Sequence, residues 1–116
     1  MPSLILYHNP RCSKSRQALA LLEERGVSFQ TLRYLEAPLD RAALGELAER
    51  LDGGLAAMVR DNETEWKALN LDIADPQAVL EAIANHPKLM QRPILDTGQR
   101  AIVGRPPEAV LSLIEP

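Results

Sequence analysis

Tyr7-His8-Asn9-Pro10-Arg11-Cys12-Ser13-Lys14-Ser15-Arg16 holds the one cysteine of this chain and joins a strand pattern to a helix pattern. An apolar run, Leu4-Ile5-Leu6-Tyr7, precedes it and reads as a buried strand. A helical pattern over 13–25 follows, with Ala18, Leu19 and Leu22 on one stripe, and Gly26 can close it in the left-handed conformation. Strand, turn and helix in that order put Cys12 at or just before a helix N-terminus, where unpaired backbone N–H groups favour an anion. A free thiol titrates near ~8.5, and a cationic helix terminus can bring it to roughly 3.5–7.5. Arg11, Lys14, Arg16 and His8 supply the cationic surroundings. The thiolate is the nucleophile, and the same N–H groups can hold an oxyanion. A lone cysteine is more often a small buried hydrophobe. Here six of the residues from His8 to Arg16, besides Cys12, are charged or hydroxylic, which is poor company for a buried thiol.

The pattern beyond this stretch alternates strands and helices. Residues 27–34 carry Val27, Phe29, Thr31 and Arg33 on one parity and read as a second strand. Two parallel strands joined by a helix of this length form a right-handed βαβ unit. Glu36-Ala37-Pro38 breaks the pattern. Asp40 is a helix cap, followed by Leu44, Leu47, Ala48 and Leu51 at helical spacing, and Gly53-Gly54 ends that helix. A short apolar stretch, 55–59, closes at Arg60. Asn62 can cap a short helix with Glu65 in a capping box, and Trp66 and Leu69 are expected in the core. Asp75-Pro76 starts another helix with Val79, Leu80 and Ile83 as its stripe, ended by His86-Pro87. Arg92-Pro93-Ile94-Leu95 and Arg100-Ala101-Ile102-Val103 flank the polar turn Asp96-Thr97-Gly98-Gln99 as a β-hairpin. Gly104-Arg105-Pro106-Pro107-Glu108 starts a closing helix with Val110, Leu111 and Ile114 on its apolar face.

Composition bounds what such a chain can be. Its 116 residues make one domain, 1–116, large enough for a hydrophobic core. Hydrophobic residues at 46% argue against disorder, and a net charge of −3 gives no general reason to bind nucleic acid. One cysteine cannot make an internal disulfide. Nothing reads as a secretory signal or a spanning segment, and no Cys/His cluster has metal-site spacing. A cytoplasmic protein with no metal and no membrane attachment is expected.

Three arginines, Arg60, Arg92 and Arg105, each adjoin a turn or a helix boundary. Any one alone reads as a surface charge. Taken with Cys12 they form a pattern. The run from His8 to Arg16 resembles the active-site loop of the glutaredoxin-linked arsenate reductase (ArsC) family, which reads H-N-P-x-C-x-x-S-R. Arg60 after Leu55-Ala56-Ala57-Met58-Val59 is similar to its second landmark, Arg92-Pro93-Ile94 to its third and Gly104-Arg105-Pro106-Pro107 to its fourth. The likeness covers nearly the whole chain.

The resemblance implies an α/β, thioredoxin-like fold with βαβ and ββα halves and a helical insertion at about 38–88. It implies that Pro93 is cis and faces the cysteine loop. It implies that Cys12 attacks arsenate, that glutathione serves as co-substrate, that arsenite leaves, and that a glutaredoxin clears the sulfur. Arg60, Arg92 and Arg105 would bind the oxyanion, His8 would help lower the Cys12 pKa, and Ser15 would hydrogen-bond the thiolate. No bound cofactor is implied, and the chain is expected to act as a monomer. Cys-Ser-Lys-Ser stands here where the plasmid-borne enzymes have Cys-Gly-Thr-Ser, the hairpin turn is worded differently, and the chain stops sooner after its closing helix. These features place it nearer a short chromosomal branch whose substrate is often inferred. Two alternatives share the fold: a glutathione-dependent thiol transferase with another substrate, and a redox-linked transcription regulator that binds the RNA polymerase alpha subunit. Such regulators usually carry C-x-x-C and lack Gly-Arg-Pro-Pro, whereas here Ser15 holds the second position.

Overall fold

A computed structural model describes residues 4–60, 63–72 and 74–114. Four short strands form one sheet in the order β2-β1-β3-β4. They are β1 (Ile5–Tyr7), β2 (Gln30–Leu32), β3 (Ile94–Asp96) and β4 (Ala101–Val103). Helix α1 (Ser13–Glu24) connects β1 to β2, and those strands are parallel, with Leu6 opposite Thr31. β3 runs antiparallel to β1, with Leu6 opposite Leu95, and β4 is antiparallel to β3. Helices α2 (Arg41–Arg50), α3 (Gly54–Met58), α4 (Thr64–Leu69) and α5 (Pro76–Asn85) lie between the two strand pairs in sequence. Two 3-10 segments, Pro87–Leu89 and Pro107–Leu113, precede and follow the hairpin. No helix among the described residues is long and apolar enough to cross a membrane.

Alternation along the strands sends side chains to two cores. Leu6 and Leu95 point to one face, where Ala18 and Leu22 of α1 and Val110 of the closing segment bury them. Tyr7, Ile94 and Ala101 point to the other, against Leu44 and Leu47 of α2 and Val79 and Ile83 of α5. Each fully buried leucine contributes roughly 1.5–3 kcal/mol. The caps are as read: Asp40 accepts from the Ala43 N–H and Asp75 from the Ala78 N–H. Gly26 has φ of 67°, the left-handed stop expected after α1.

The structure departs from the expected pattern in five places. β2 spans three residues rather than eight, because it is an edge strand whose one neighbour among the described residues is the equally short β1. Residues 54–58 are a helical turn, α3, entered through Gly53 at φ of 88°. Trp66 packs against the larger core as expected, but Leu69 is exposed; the Asn62 cap lies outside the described residues. Asp96 belongs to β3 and not to the turn: it is buried, and Arg50 donates Nε to its Oδ1 at 3.0 Å and Nη2 to its Oδ2 at 2.7 Å. This forked pair ties α2 to the sheet. The closing segment is wound as 3-10, with the Ala109 N–H donating to the Pro106 carbonyl at 2.9 Å. That tight start keeps Val110 buried over Gly104, where an added Cβ would stand 3.0 Å from Val110 Cγ1.

Candidate active site

Cys12 is the N-cap of α1, with extended backbone at φ −94° and ψ 124°. The turn before it is built by Asn9. Its carbonyl accepts from the Cys12 N–H at 3.0 Å, and its Oδ1 accepts from the Arg11 N–H at 3.0 Å. Asparagine holds its own backbone in such a turn better than most residues. Arg16 braces the turn from α1 by donating Nη1 to the Pro10 carbonyl at 2.9 Å. The sulfur is half-buried and faces the N–H groups of the first turn of α1.

Burial pushes the Cys12 thiol up. The Ser15 N–H, the Arg92 guanidinium, the Lys14 N–H and the charge of Arg92 outweigh it, so the thiol titrates below its ordinary value. Arg105 reaches the same sulfur from another segment. Its Nη2 lies 3.8 Å from Cys12 Sγ, and its Nε donates to the Arg92 carbonyl at 3.0 Å. The two arginines are thus locked to each other beside the thiol. Both precede a cis proline, Pro93 and Pro106; the resemblance implied only the first. Gly104 explains how their segments can meet. Its N–H donates to the Pro93 carbonyl at 2.8 Å, and a Cβ there would stand 2.8 Å from Pro93 Cγ. Only glycine fits that approach.

His8 and Ser15 are placed differently from the roles the resemblance implied. The Ser15 hydroxyl is fully buried, lies 2.5 Å from His8 Nδ1 and accepts from the Asn9 N–H at 3.0 Å. With that hydroxyl engaged, Ser15 acts on the sulfur through its backbone N–H. Burial first, then the charges of Arg33 and Arg16, hold His8 below its ordinary pKa. A neutral imidazole adds no positive charge beside Cys12. Its evident work is to anchor Ser15 and with it the first turn of α1.

Arg60 stands apart. Segment 58–60 pairs with 89–91: the Arg60 N–H donates to the Leu89 carbonyl at 2.7 Å and the Gln91 N–H to the Met58 carbonyl at 2.6 Å. The backbone is therefore carried close to Arg92. The side chain, however, is ion-paired with Glu63, Nη1 to Oε1 at 2.6 Å, and no hydrogen bond among the described residues joins it to Cys12. The structure brings Arg92 and Arg105 to the sulfur and leaves Arg60 on a carboxylate.

One neighbour went unread in the sequence. Tyr34, two residues beyond β2, is 1% exposed, and both Cys12 and Arg92 act on its hydroxyl. Burial raises its pKa to about 12.

Residues 7–113 match the model of the ArsC family. The chain belongs to the ArsC family. An arsenate reductase of Neisseria meningitidis serogroup A is 44% identical, over 98% of this chain and 100% of that protein. One from Haemophilus influenzae is 43% identical, over 97% and 99%. The solved structure of an arsenate reductase from Vibrio cholerae superposes with a TM-score of 0.86 at 41% identity, covering 96% of this chain and 97% of that one. This ArsC chain therefore has the thioredoxin-like fold that the resemblance implied.

Proposed function

We propose that this ArsC protein is an arsenate reductase that works with one protein thiolate, glutathione and a glutaredoxin in the cytoplasm. The observation that carries the reading is the Cys12 sulfur at the first turn of α1, in reach of the Arg92 and Arg105 guanidinium groups. Planar guanidinium groups stay charged and pair in fork geometry with tetrahedral oxyanions. The arginines would hold arsenate while the Cys12 thiolate attacks arsenic and hydroxide leaves, giving a sulfur–arsenic(V) bond. The glutathione thiol would then attack the Cys12 sulfur. The bonding pair stays on arsenic, which leaves as arsenite, and Cys12 and glutathione are joined as a mixed disulfide. The two electrons come from the two thiols.

An outside thiol is required because the chain has one cysteine. A hollow of about 240 Å³ beside the Cys12 loop, lined by Pro10, Arg11, Arg33, Leu35 and Glu36, has room for a small thiol. The same hollow favours the second reading, a glutathione-dependent thiol transferase with a different substrate.

Arsenite formation with glutathione and glutaredoxin tests the proposal. Many turnovers are expected, falling to background in Cys12→Ser with the fold intact. Many turnovers with thioredoxin alone would rule out the glutathione scheme. A glutathionylated Cys12 with no arsenite formed would leave the transferase reading.

A further inference from the structure

Among the described residues, two buried polar atoms near Cys12 lack hydrogen-bond partners: the Tyr34 hydroxyl and Arg92 Nε. Such groups are uncommon in native proteins, and a catalytic role is one of the reasons they persist. Arg92 and Asn9 come near enough to act on the Tyr34 phenol, and so does the charge of Cys12, yet none is in hydrogen-bond geometry with it. The hydroxyl therefore lies in the field of Cys12 and Arg92 with no hydrogen bond of its own among the described residues.

We propose that the Tyr34 hydroxyl is a catalytic hydrogen-bond donor, which with Arg92 Nε binds an oxygen of the oxyanion held on Cys12. This rests on the reading of Cys12 as an oxyanion-binding nucleophile. An oxyanion bonded to the sulfur carries its oxygens outward from Cys12, toward donors that stand beyond hydrogen-bond reach of the sulfur itself. The charges come from Arg92 and Arg105, and Tyr34 adds a neutral, directional donor. Its pKa of about 12 keeps the proton on the phenol throughout the working range, so it never becomes an anion that repels the substrate. Burial also fixes its direction, since a 1% exposed ring has little room to turn.

Tyr34→Phe removes only the oxygen. The test is the rate at which iodoacetamide alkylates Cys12 in the full chain, read by intact mass, with increasing arsenate. Arsenate should protect the wild-type thiol. In Tyr34→Phe the arsenate needed for half-protection should rise about tenfold or more, as for loss of a hydrogen bond to a charged group. Without arsenate, the pH midpoint of alkylation should stay where it was, which separates binding of the adduct from tuning of the thiol. The melting temperature should hold or rise, because the lost hydroxyl had no partner. With 3-fluorotyrosine incorporated at position 34, a stronger donor, half-protection should come at lower arsenate. Equal protection in wild type and both variants would overturn the Tyr34 proposal and leave the reading of Cys12 standing. Failure of arsenate to protect the wild-type thiol would overturn both.

Discussion

Arg105 and Arg60 carry the same side chain and stand at matching landmarks of the family pattern, yet their surroundings are opposite. Arg105 follows β4, is exposed, and is fixed by the Arg92 carbonyl with its free end on the Cys12 sulfur. Arg60 follows α3, is 15% exposed, and has its charge answered by Glu63 at 2.6 Å. A carboxylate so near competes directly with any anion for the guanidinium. An oxyanion site is made by unanswered charge, so a count of arginines overstates it. Arg92 and Arg105 are committed to the sulfur in this structure; Arg60 is committed elsewhere.

The largest effect should come from comparing the two directly. Arg105→Lys keeps the charge but cannot hold the Arg92 carbonyl and reach the sulfur together. It should lower kcat/KM for arsenate by roughly ten- to a hundredfold. Arg60→Lys should cost less than about threefold, because Lys can keep the pair with Glu63. Steady-state kinetics of the two variants checks this. Equal losses would mean that Arg60 leaves Glu63 when substrate binds.

Much of this contrast was legible beforehand and some was not. Cys12 at a helix N-terminus follows from neighbours within a few residues: an apolar strand, an Asn-Pro turn and a helical stripe. The hairpin and the Asp40 and Asp75 caps are likewise local. What failed to show was non-local. Arg50 and Asp96 lie 46 residues apart, and aspartate next to Thr-Gly reads as a turn residue unless its partner is known. Val110, Leu111 and Ile114 fit a 3-10 helix as well as an α-helix, since spacings of three and four cannot separate them. Tyr34 reads as one more position of an alternating strand; its burial depends on the larger core it joins, built from residues far along the chain. The direction of the Ser15 hydroxyl, toward His8, leaves no mark in the residue order.

A middle-sized effect concerns Arg92, the cation that acts most directly on the thiol. Arg92 and the N–H groups of Ser15 and Lys14 favour the thiolate, while burial opposes it. Alkylation of Cys12 therefore rises at a lower pH than for a free thiol and is level above that. Arg92→Met leaves burial in place and removes the main counter-charge, so the midpoint must move up. The rate at pH 6 should fall a few-fold while the plateau rate at high pH is unchanged. Arg60→Met should leave the midpoint where it is. Alkylation rates across pH for the three proteins, each with a single cysteine, give the answer without any substrate. A midpoint shifted equally by both variants would place Arg60 in the field of the sulfur after all.

The smallest expected effect is the sharpest test of why Arg60 differs. Glu63 is the last described residue before α4 and its N-cap, so its carboxylate is held near Arg60 by backbone geometry. The pair is partly buried, at 15% and 28% exposure, but glutamine keeps the shape of Glu63 and an oxygen that accepts from Arg60, which holds the loss to about 1 kcal/mol. Glu63→Gln should therefore change the melting temperature little. It also removes the anion that occupies Arg60. The backbone ladder between 58–60 and 89–91 already sets Arg60 beside the segment that carries Arg92. A released guanidinium there could turn toward an oxyanion on Cys12. Half-protection of Cys12 by arsenate should then come at about two- to fivefold lower concentration, the same energy read as affinity. The double variant, Glu63→Gln with Arg60→Met, should lose that gain. A gain that persists without Arg60 would assign it to the change in net charge alone. No gain in either protein would mean that Arg60 serves only to join α3 to α4.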